Sequence, residues 1–206
     1  QTQAQAPLRY RTPSTSQAMQ VLTAGLLCLL VPSASVPSFV VDLDAPARQR
    51  WAHVIAYYRQ EFIAMGAALN PLLDFHLGPT RAAWLEIEYD AEYMEELQGM
   101  VDAANDSSVT AESLKLTNML YEMASPTACS GVLFTMLNGT VLHGRNMDYA
   151  FHWKMPDGRV LNWPDVTFEV TYLRGGEPLF RATQWPGGLG IHTAMRFNGW
   201  SFEQNT

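Results

Sequence analysis

The feature that most constrains the fold of this chain is a change of hydrophobic period at Cys129. Upstream of this residue, apolar side chains recur at every third or fourth position, which is the spacing of one helix face. Downstream, they alternate with polar ones, which is the pattern of a half-buried strand. Helices followed by antiparallel strands indicate an α+β layered architecture and argue against alternating βαβ units.

Three helices are expected in the first half. The first starts near Ala45 with Asp44 as its N-cap, and Pro71 is expected to break or kink it. The second is expected over 91–104, and the third after the cap Thr110. The first helix is apolar around much of its circumference. This pattern favours a core helix packed on both sides, with a membrane-touching helix as the alternative.

The second half opens with two apolar runs joined by Leu137-Asn138-Gly139, which is a strong hairpin signal. Further strands follow turn-forming sequence and complete a sheet. The predicted strands are 129–136, 140–147, 165–173, 179–184, 188–193 and 200–203.

The hairpin brings three chemically active residues onto adjacent strands. If Asn138 and Gly139 form a two-residue turn, Cys129 faces Asp148 across the ladder. A three-residue loop with Gly139 in the left-handed conformation shifts the pairing by one and places Arg145 on the Cys129 face instead. The sequence alone leaves both registers open. In either register a thiol, a carboxylate and a guanidinium lie close together.

The thiol of Cys129 has no partner cysteine, because the other cysteine, Cys28, falls in an apolar leader-like segment. An odd cysteine indicates a free reactive thiol or an intermolecular bridge. The five histidines are scattered, so neither a paired histidine base nor a metal site is indicated. A cut before Cys129 would supply a base, because a free α-amine has a reference pKa of about 7.7–8.0. Asp148 would then hold that amine in place.

Three runs carry a resemblance to a known family: NMLYE at 118–122, CS at 129–130 and HGRNMDY at 143–149. Arg145 and Asp148 follow Cys129 by 16 and 19 residues. This pattern resembles the acid ceramidase and N-acylethanolamine-hydrolysing acid amidase family, and weaker similarity extends from about Pro37 to Thr193.

The resemblance implies a four-layer αββα N-terminal-nucleophile hydrolase fold and a precursor that cleaves itself between Ala128 and Cys129. Residues 36–128 would form the helical α chain, and residues 129–206 the start of the catalytic β chain, as an α/β heterodimer. Cys129 is implied as the nucleophile and Asp148 as the group that orients its α-amine. Arg145 would organise the site and stabilise negative charge.

The implied substrates are fatty-acyl amides, either N-acylethanolamines or ceramide, with no cofactor and no metal. A membrane surface or a lipid activator is the implied source of the substrate. Residues 36–128 contain no cysteine for an interchain disulfide of the acid-ceramidase type, which favours the ethanolamide-hydrolysing branch.

The sequence also departs from the family pattern. A later Glu of the family would fall near Thr206, where this chain has none, and Ser130 replaces the commoner Thr. The oxyanion Asn of the family lies further on, and loss of one such donor costs about a hundredfold or more in turnover. The chain is therefore expected to be a C-terminally incomplete and inactive fragment.

The first 35 residues are expected to be extra upstream sequence (1–18) and a secretory signal cleaved near Ser35, with a buried cytosolic helix as the alternative. Acceptor sequons at Asn105 and Asn138 add weight to a lysosomal or secreted glycoprotein. Residues 1–35 hold two of the 13 basic residues and none of the 20 acidic ones, so the rest carries a net charge of −9. Such a surface argues against nucleic-acid binding.

Other interpretations stay open. One is a bile-salt or penicillin amide hydrolase, although the helical segment before Cys129 argues against it. Another is a non-catalytic lipid-binding relative. Cys129 as a plain buried cysteine, and Arg145 with Asp148 as a structural ion pair, are the corresponding interpretations without catalysis.

Overall fold

The structure, a computed structural model, describes residues 36–123, 129–147 and 151–204. The helices are α1 (Ala52–Tyr57), α2 (Arg59–Leu77), α3 (Arg81–Glu86), α4 (Ala91–Ala104), α5 (Ala111–Thr117), α6 (Leu120–Met123) and α7 (Trp163–Val166), with 3₁₀ turns at Ala47–Gln49 and Gly78–Thr80. The strands are β1 (Ser38–Asp42), β2 (Cys129–Thr135), β3 (Val141–Met147), β4 (His152–Lys154), β5 (Val160–Asn162), β6 (Phe168–Arg174), β7 (Glu177–Gln184), β8 (Thr193–Arg196) and β9 (Ser201–Glu203).

Within the described ranges, the largest sheet has five strands in the order β1-β6-β7-β8-β9, and β2–β3 and β4–β5 form separate antiparallel hairpins. The strand β1 was not predicted from the sequence. It pairs with β6 in parallel, whereas the other strands of the sheet pair antiparallel, as expected. A parallel pair needs a long crossover connection, and the helical half lies between β1 and β6.

The helices and the large sheet share one hydrophobic core. Alternate residues of β6 point into it: Phe168 and Val170 are fully buried, and Tyr172 is 5% exposed. The α1 and α2 region covers this face, with Trp51 edge-on to Tyr172 and Tyr58 stacked on Phe168. The mixed α+β class expected from the change of period is therefore confirmed.

The β2–β3 hairpin lies on the opposite face of the same sheet. On β8, Ala194 belongs to the helix-side core, whereas its neighbour Thr193 accepts a hydrogen bond from Arg145 of the hairpin. On β9, Ser201 and Glu203 contact His143 of the hairpin. The described residues thus stack as helices, large sheet and hairpin.

The first helical run does not begin as predicted. Asp44 does not cap it, because its carboxylate accepts a hydrogen bond from the backbone of Gly175 instead. The run starts with the 3₁₀ turn at Ala47, preceded by Pro46 without a side-chain cap.

Of the predicted break or kink at Pro71, the break was wrong, since α2 continues from Arg59 to Leu77 through the proline, and the kink stays a prediction. Leu69 and Leu73, on either side of it, are each 5% exposed. Burial of this apolar face outweighs the loss of one backbone hydrogen bond.

The next two helix predictions were confirmed at their starts. The helix α4 spans Ala91–Ala104, as expected. Thr110 caps α5 by accepting a hydrogen bond from the backbone of Ser113, whose hydroxyl in turn accepts one from the backbone of Thr110. This reciprocal pair is a capping box.

Two strand predictions need correction. Asp165 lies in α7, not in a strand, because Asn162 and Asp165 form a capping box and Pro164 stands in the first turn. The segment 188–193 is a loop up to Thr193, where β8 begins. In that loop Leu189 donates its backbone N–H to the side chain of an asparagine outside the sheet, rather than to a neighbouring strand.

None of the helices described here combines the length and the apolar composition that crossing a membrane requires.

Arg50 ties the start of the helical half to α4. Its side chain is only 7% exposed. It donates from Nε to the carbonyl of Ala45 (2.9 Å), from Nη2 to the carbonyl of Leu43 (2.7 Å) and from Nη1 to Glu96 (2.6 Å). Trp51 donates its indole N–H to the other oxygen of the Glu96 carboxylate at 2.5 Å. Glu96 therefore compensates two buried donors at once.

Replacement of Glu96 by alanine is expected to lower the free energy of unfolding by about 2–3 kcal/mol, because it removes a largely buried partner of Arg50 and Trp51. Glu95→Ala is the matched control. Glu95 lies 3.9 Å from Arg48 with both side chains more than half exposed, so the expected change is at most about 0.5 kcal/mol. Urea unfolding of both variants measures the difference, and equal losses would contradict this account.

Candidate active site

The loop between β2 and β3 decides the register of the hairpin. Met136 donates its backbone N–H to Thr140 (2.8 Å), Gly139 donates to the carbonyl of Met136 (2.9 Å), and Gly139 has φ of +84°. This is a three-residue loop closed by a left-handed glycine. Of the two registers left open by the sequence, the structure has the second, with Cys129 opposite Met147.

One face of the hairpin carries the predicted nucleophile and the predicted cation together. Gly131 pairs with Arg145 and follows Cys129 by two residues. Side chains two apart on a strand point to the same face, so Cys129 and Arg145 share that face as diagonal neighbours. Cys129 is half-buried and carries a free thiol.

Arg145 is held on this face by fixed acceptors, with its side chain only 8% exposed. Nη2 donates to the carbonyl of Gln204 (2.7 Å), Nη1 to the carbonyl of Asn146 (2.7 Å) and Nε to the hydroxyl of Thr193 (3.3 Å). The carboxylate of Glu203 lies 3.9 Å from Nε. The guanidinium is therefore oriented by groups from three strands and the residue that follows β9.

His143 forms the next contact along the same face. Its Nε2 lies 2.9 Å from the Glu203 carboxylate, and its Nδ1 contacts the hydroxyl of Ser201. Its side chain is 6% exposed. Glu203, Ser201 and the position of His143 were missed by sequence reasoning. The alternation of side chains along a strand could have predicted part of this arrangement. It places His143 and Arg145 on the same face of β3, and Ser201 and Glu203 on the same face of β9.

Several predicted site residues lie elsewhere. Asp148 and Ala128 fall outside the described residues, so their roles stay predictions. Asn105 is an exposed left-handed residue that ends α4, and Asn138 is exposed in the hairpin loop. Both sequons are thus on the surface, and their glycosylation stays a prediction.

Comparison with known proteins identifies relatives over most of the chain. A sequence profile described as the beta subunit of N-acylethanolamine-hydrolyzing acid amidase matches residues 34–86, upstream of Cys129. The chain is 27% identical over 179 residues to N-acylethanolamine-hydrolyzing acid amidase of Mus musculus, covering 84% of the chain and 46% of that protein. It is 31% identical over 164 residues to the protein of that name from Oryctolagus cuniculus, covering 77% and 42%.

A third relative is acid ceramidase of Bos taurus, 21% identical over 174 residues, with 78% of the chain and 43% of the relative covered. The chain belongs to the acid ceramidase and N-acylethanolamine-hydrolysing acid amidase family. This confirms the family indicated by its sequence motifs. The chain spans less than half the length of these curated relatives.

In this chain, a cavity of about 370 Å³ opens beside Arg145. The rings of Trp163 and Trp185, 5.1 Å apart, form part of its wall, and Met147 lies opposite Cys129 at its edge. Trp163 and Trp185 were not predicted as site residues. The cavity combines apolar walls with one fixed positive charge, which suits an apolar chain that ends in a polarisable carbonyl.

Within the described residues, no group of His, Cys, Asp and Glu side chains is arranged to hold a metal ion.

His192 lies buried against Trp185, which lines the cavity. Its ring stacks on Trp185 with centroids 4.9 Å apart, and its Nδ1 lies 2.9 Å from the side-chain oxygen of Gln204. Burial lowers the pKa of His192 from 6.5, the positive charge of Arg145 lowers it further, and the contact with Gln204 opposes the shift. The fold therefore shifts the protonation equilibrium of His192 toward the neutral imidazole.

Asn118 joins the helical half to the loop that precedes His192. Its Nδ2 donates to the carbonyls of Leu114 (2.9 Å) and Gly187 (2.8 Å). Its Oδ1 accepts from the backbone N–H groups of Leu189 (2.8 Å) and Gly190 (3.4 Å). One side chain thus supplies partners for a loop that forms no ladder of its own.

Replacement of Asn118 by the isosteric leucine is expected to lower the free energy of unfolding by about 2–4 kcal/mol, because buried backbone groups of Gly187 and Leu189 lose their partners. Asn70→Leu is the graded control, since it removes one hydrogen bond to the carbonyl of Ser108 and is expected to cost about 1 kcal/mol. The measurement is urea unfolding, and a larger loss for Asn70→Leu would contradict the assignment.

The depressed pKa of His192 predicts a pH dependence of stability. The unfolded chain binds the proton more readily, so the free energy of unfolding falls as pH decreases through the unfolded-state pKa of about 6.5. The His192→Gln variant removes this contribution and should show a shallower decline between neutral and mildly acidic pH. Urea midpoints across that window test this, and an unchanged slope would show that His192 is not the group responsible.

Proposed function

We propose that this chain is the nucleophile-bearing part of an amidase that hydrolyses the amide bond of fatty-acyl amides, either N-acylethanolamines or ceramide. The observation that carries the proposal is the hairpin face shared by Cys129 and Arg145, beside an apolar cavity. The names of its relatives, N-acylethanolamine-hydrolyzing acid amidase and acid ceramidase, support the substrate class.

The nucleophile of this amidase is produced by cleavage of the chain between Ala128 and Cys129. Cleavage exposes the α-amine of Cys129, whose reference pKa of about 7.7–8.0 suits a proton acceptor for the thiol of the same residue. Asp148 orients this amine. The pairing of Cys129 with Met147 in the β2–β3 ladder supports the assignment, because the ladder fixes the backbone that carries both its amine and its thiol.

Hydrolysis proceeds by two acyl transfers. The sulfur of Cys129 attacks the amide carbonyl while the α-amine takes the thiol proton, and a tetrahedral oxyanion forms. The C–N bond then breaks, the leaving amine takes that proton, and the fatty acyl group remains as a thioester. Water attacks the thioester, the C–S bond breaks, and the fatty acid leaves as the thiol is restored.

Arg145 stabilises the negative charge that develops in both steps. Its guanidinium is largely buried and already oriented by three hydrogen-bond acceptors and by the Glu203 carboxylate at 3.9 Å, so little reorganisation is needed when the charge appears. The aromatic cavity beside it accommodates the acyl chain. Exclusion of water from such a site increases the effect of a fixed charge.

The same proposal includes the four-layer αββα fold and an α/β heterodimer. The stacking of helices, large sheet and hairpin supports the first three layers. The outer face of the hairpin is apolar and exposed, with Val132 57%, Phe134 48% and Leu142 40% exposed, and it suits a fourth layer of helices.

A lysosomal or secreted location completes the proposal, with a membrane surface or a lipid activator delivering the substrate. The exposed positions of Asn105 and Asn138 support glycosylation there, and the net charge of −9 outside residues 1–35 suits an acidic compartment.

The full-length wild-type protein is expected to yield a new fragment with Cys129 at its N-terminus after incubation at acidic pH, and to hydrolyse ceramides or N-acylethanolamines. Cys129→Ala is expected to abolish both events, because it removes the nucleophile of each. Intact-mass analysis and release of fatty acid measure them.

Ser130→Ala is the matched control, since Ser130 points to the opposite face of β2 and is exposed. It should be cleaved and active. A processed, active Cys129→Ala protein would refute the mechanism, and an uncut wild-type chain with a free thiol would favour the lipid-binding relative.

A further inference from the structure

One face of the hairpin carries Cys129, Arg145 and His143, and it is called the Cys129 face. The carboxylate of Glu203 occupies the centre of this face. It lies between His143, at 2.9 Å from Nε2, and Arg145, at 3.9 Å from Nε. Ser201 contacts the other ring nitrogen of His143, so contacts run in series from Ser201 through His143 and Glu203 to Arg145. Among the described residues, Glu203 is the only carboxylate within ion-pair distance of this guanidinium.

The absence of a side chain at Gly131 makes room for this carboxylate. A Cβ atom built at Gly131 would overlap both oxygens of the Glu203 carboxylate. The backbone of Gly131 is not in the left-handed region, so the need for glycine here comes from the space and not from the conformation. Gly131 also pairs directly with Arg145, which brings the carboxylate over the guanidinium of its cross-strand neighbour.

We propose that Glu203 is a positioning residue that holds the Arg145 guanidinium on the Cys129 face, with Gly131 as the gap that admits its carboxylate. This rests on the proposed amidase function for its catalytic consequence. The other acceptors of Arg145 are neutral carbonyl and hydroxyl oxygens, whereas Glu203 supplies the opposite charge. At 3.9 Å it acts by charge attraction and not by a hydrogen bond, and this attraction adds to the three hydrogen bonds in a largely buried place.

The role is independent of the family Glu expected near Thr206. Glu203 stands on β9, three residues earlier, and reaches Arg145 because alternate residues of this strand face the hairpin. His143 restrains the carboxylate from the other side, which keeps it over Gly131. The network is thus a local feature of this chain, built from β2, β3 and β9.

The first test moves the carboxylate without deleting it. Gly131→Ala displaces the flexible end of Glu203 and should leave the fold intact, because the backbone admits alanine. Both Gly131→Ala and Glu203→Gln are expected to lower kcat for fatty-acyl amide hydrolysis by about tenfold to a hundredfold, with KM little changed, because misplacement of a charge-stabilising group by about 1 Å can cost a hundredfold.

Two matched controls separate positioning from general damage. Gly144→Ala adds a methyl group to the same hairpin on its outer face, 3.1 Å from the exposed side chain of Val132. Glu169→Gln removes a carboxylate from another glutamate–arginine pair, with Arg181 at 3.4 Å on the exposed part of the large sheet. Both variants are expected to keep kcat within about twofold of wild type.

The decisive readout is a double-variant cycle with Arg145→Lys. If Glu203 acts through Arg145, Glu203→Gln lowers kcat far less in the Arg145→Lys background than alone. Additive losses would show that Glu203 acts independently and would overturn the proposal. Wild-type kcat in both Glu203→Gln and Gly131→Ala would overturn it as well.

The same cycle is measured on the rate of Cys129 alkylation by iodoacetamide, which requires no amide substrate. The alkylation rate should change several-fold in Glu203→Gln and in Gly131→Ala. In the Arg145→Lys background, neither substitution should change the alkylation rate further. If the wild-type protein did not hydrolyse amides, the proposed function would be refuted, and the alkylation cycle alone would decide the role of Glu203. An alkylation rate that is the same in every variant would then overturn the positioning role of Glu203.

Discussion

The Cys129 face depends on the left-handed backbone of Gly139. Its φ of +84° closes a three-residue loop, and this loop sets which residues of β2 and β3 oppose each other. If the pairing of β2 with β3 shifted by one residue, side chains that now share a face of the hairpin would lie on opposite faces, because side chains alternate between the two faces of a strand. Arg145 would then point to solvent beside Val132, and Cys129 would face the large sheet without a cation.

Two largely buried arginines hold different parts of the molecule together in the same physical way. Arg50 fixes the start of the helical half to α4, and Arg145 fixes the hairpin to the large sheet. Each directs its planar fork of donors at backbone carbonyls and also pairs with carboxylates, which are Glu92 and Glu96 for Arg50 and Glu203 for Arg145. The difference is that Arg50 lies deep in a helix junction, whereas Arg145 borders a cavity and a thiol. The same bonding pattern therefore stabilises the fold at one place and prepares a charge at the other.

The sequence predicted the main features of the fold because they follow from local patterns. The change of period at Cys129, the cap Thr110 and the extent of α4 all depend on residues close together in the chain. Apart from Asp165, where a local capping box was overlooked, the errors arise where distant residues compete with local signals. Asp44 bonds to Gly175 rather than to a helix start, and the 188–193 loop is held by Asn118 rather than by a strand.

The site was predicted in part for the same reason. Cys129 and Arg145 stand on one hairpin, so their proximity follows from a local turn. Glu203 arrives from a strand nearly sixty residues beyond Arg145, and no local pattern connects the two. The parallel strand β1 was missed because its partner β6 follows more than a hundred residues later.

That strand has a consequence for the two products of a cut before Cys129. β1 comes from the segment upstream of Cys129, yet it completes an edge of a sheet whose other strands come from downstream. The cut would convert one chain into two polypeptides that share a sheet and a core. Refolding from separated pieces would become a second-order reaction, and the melting temperature would depend on protein concentration. The uncut chain would thus fold in a first-order reaction, whereas the separated parts of the cut form would regain the structure only by binding each other.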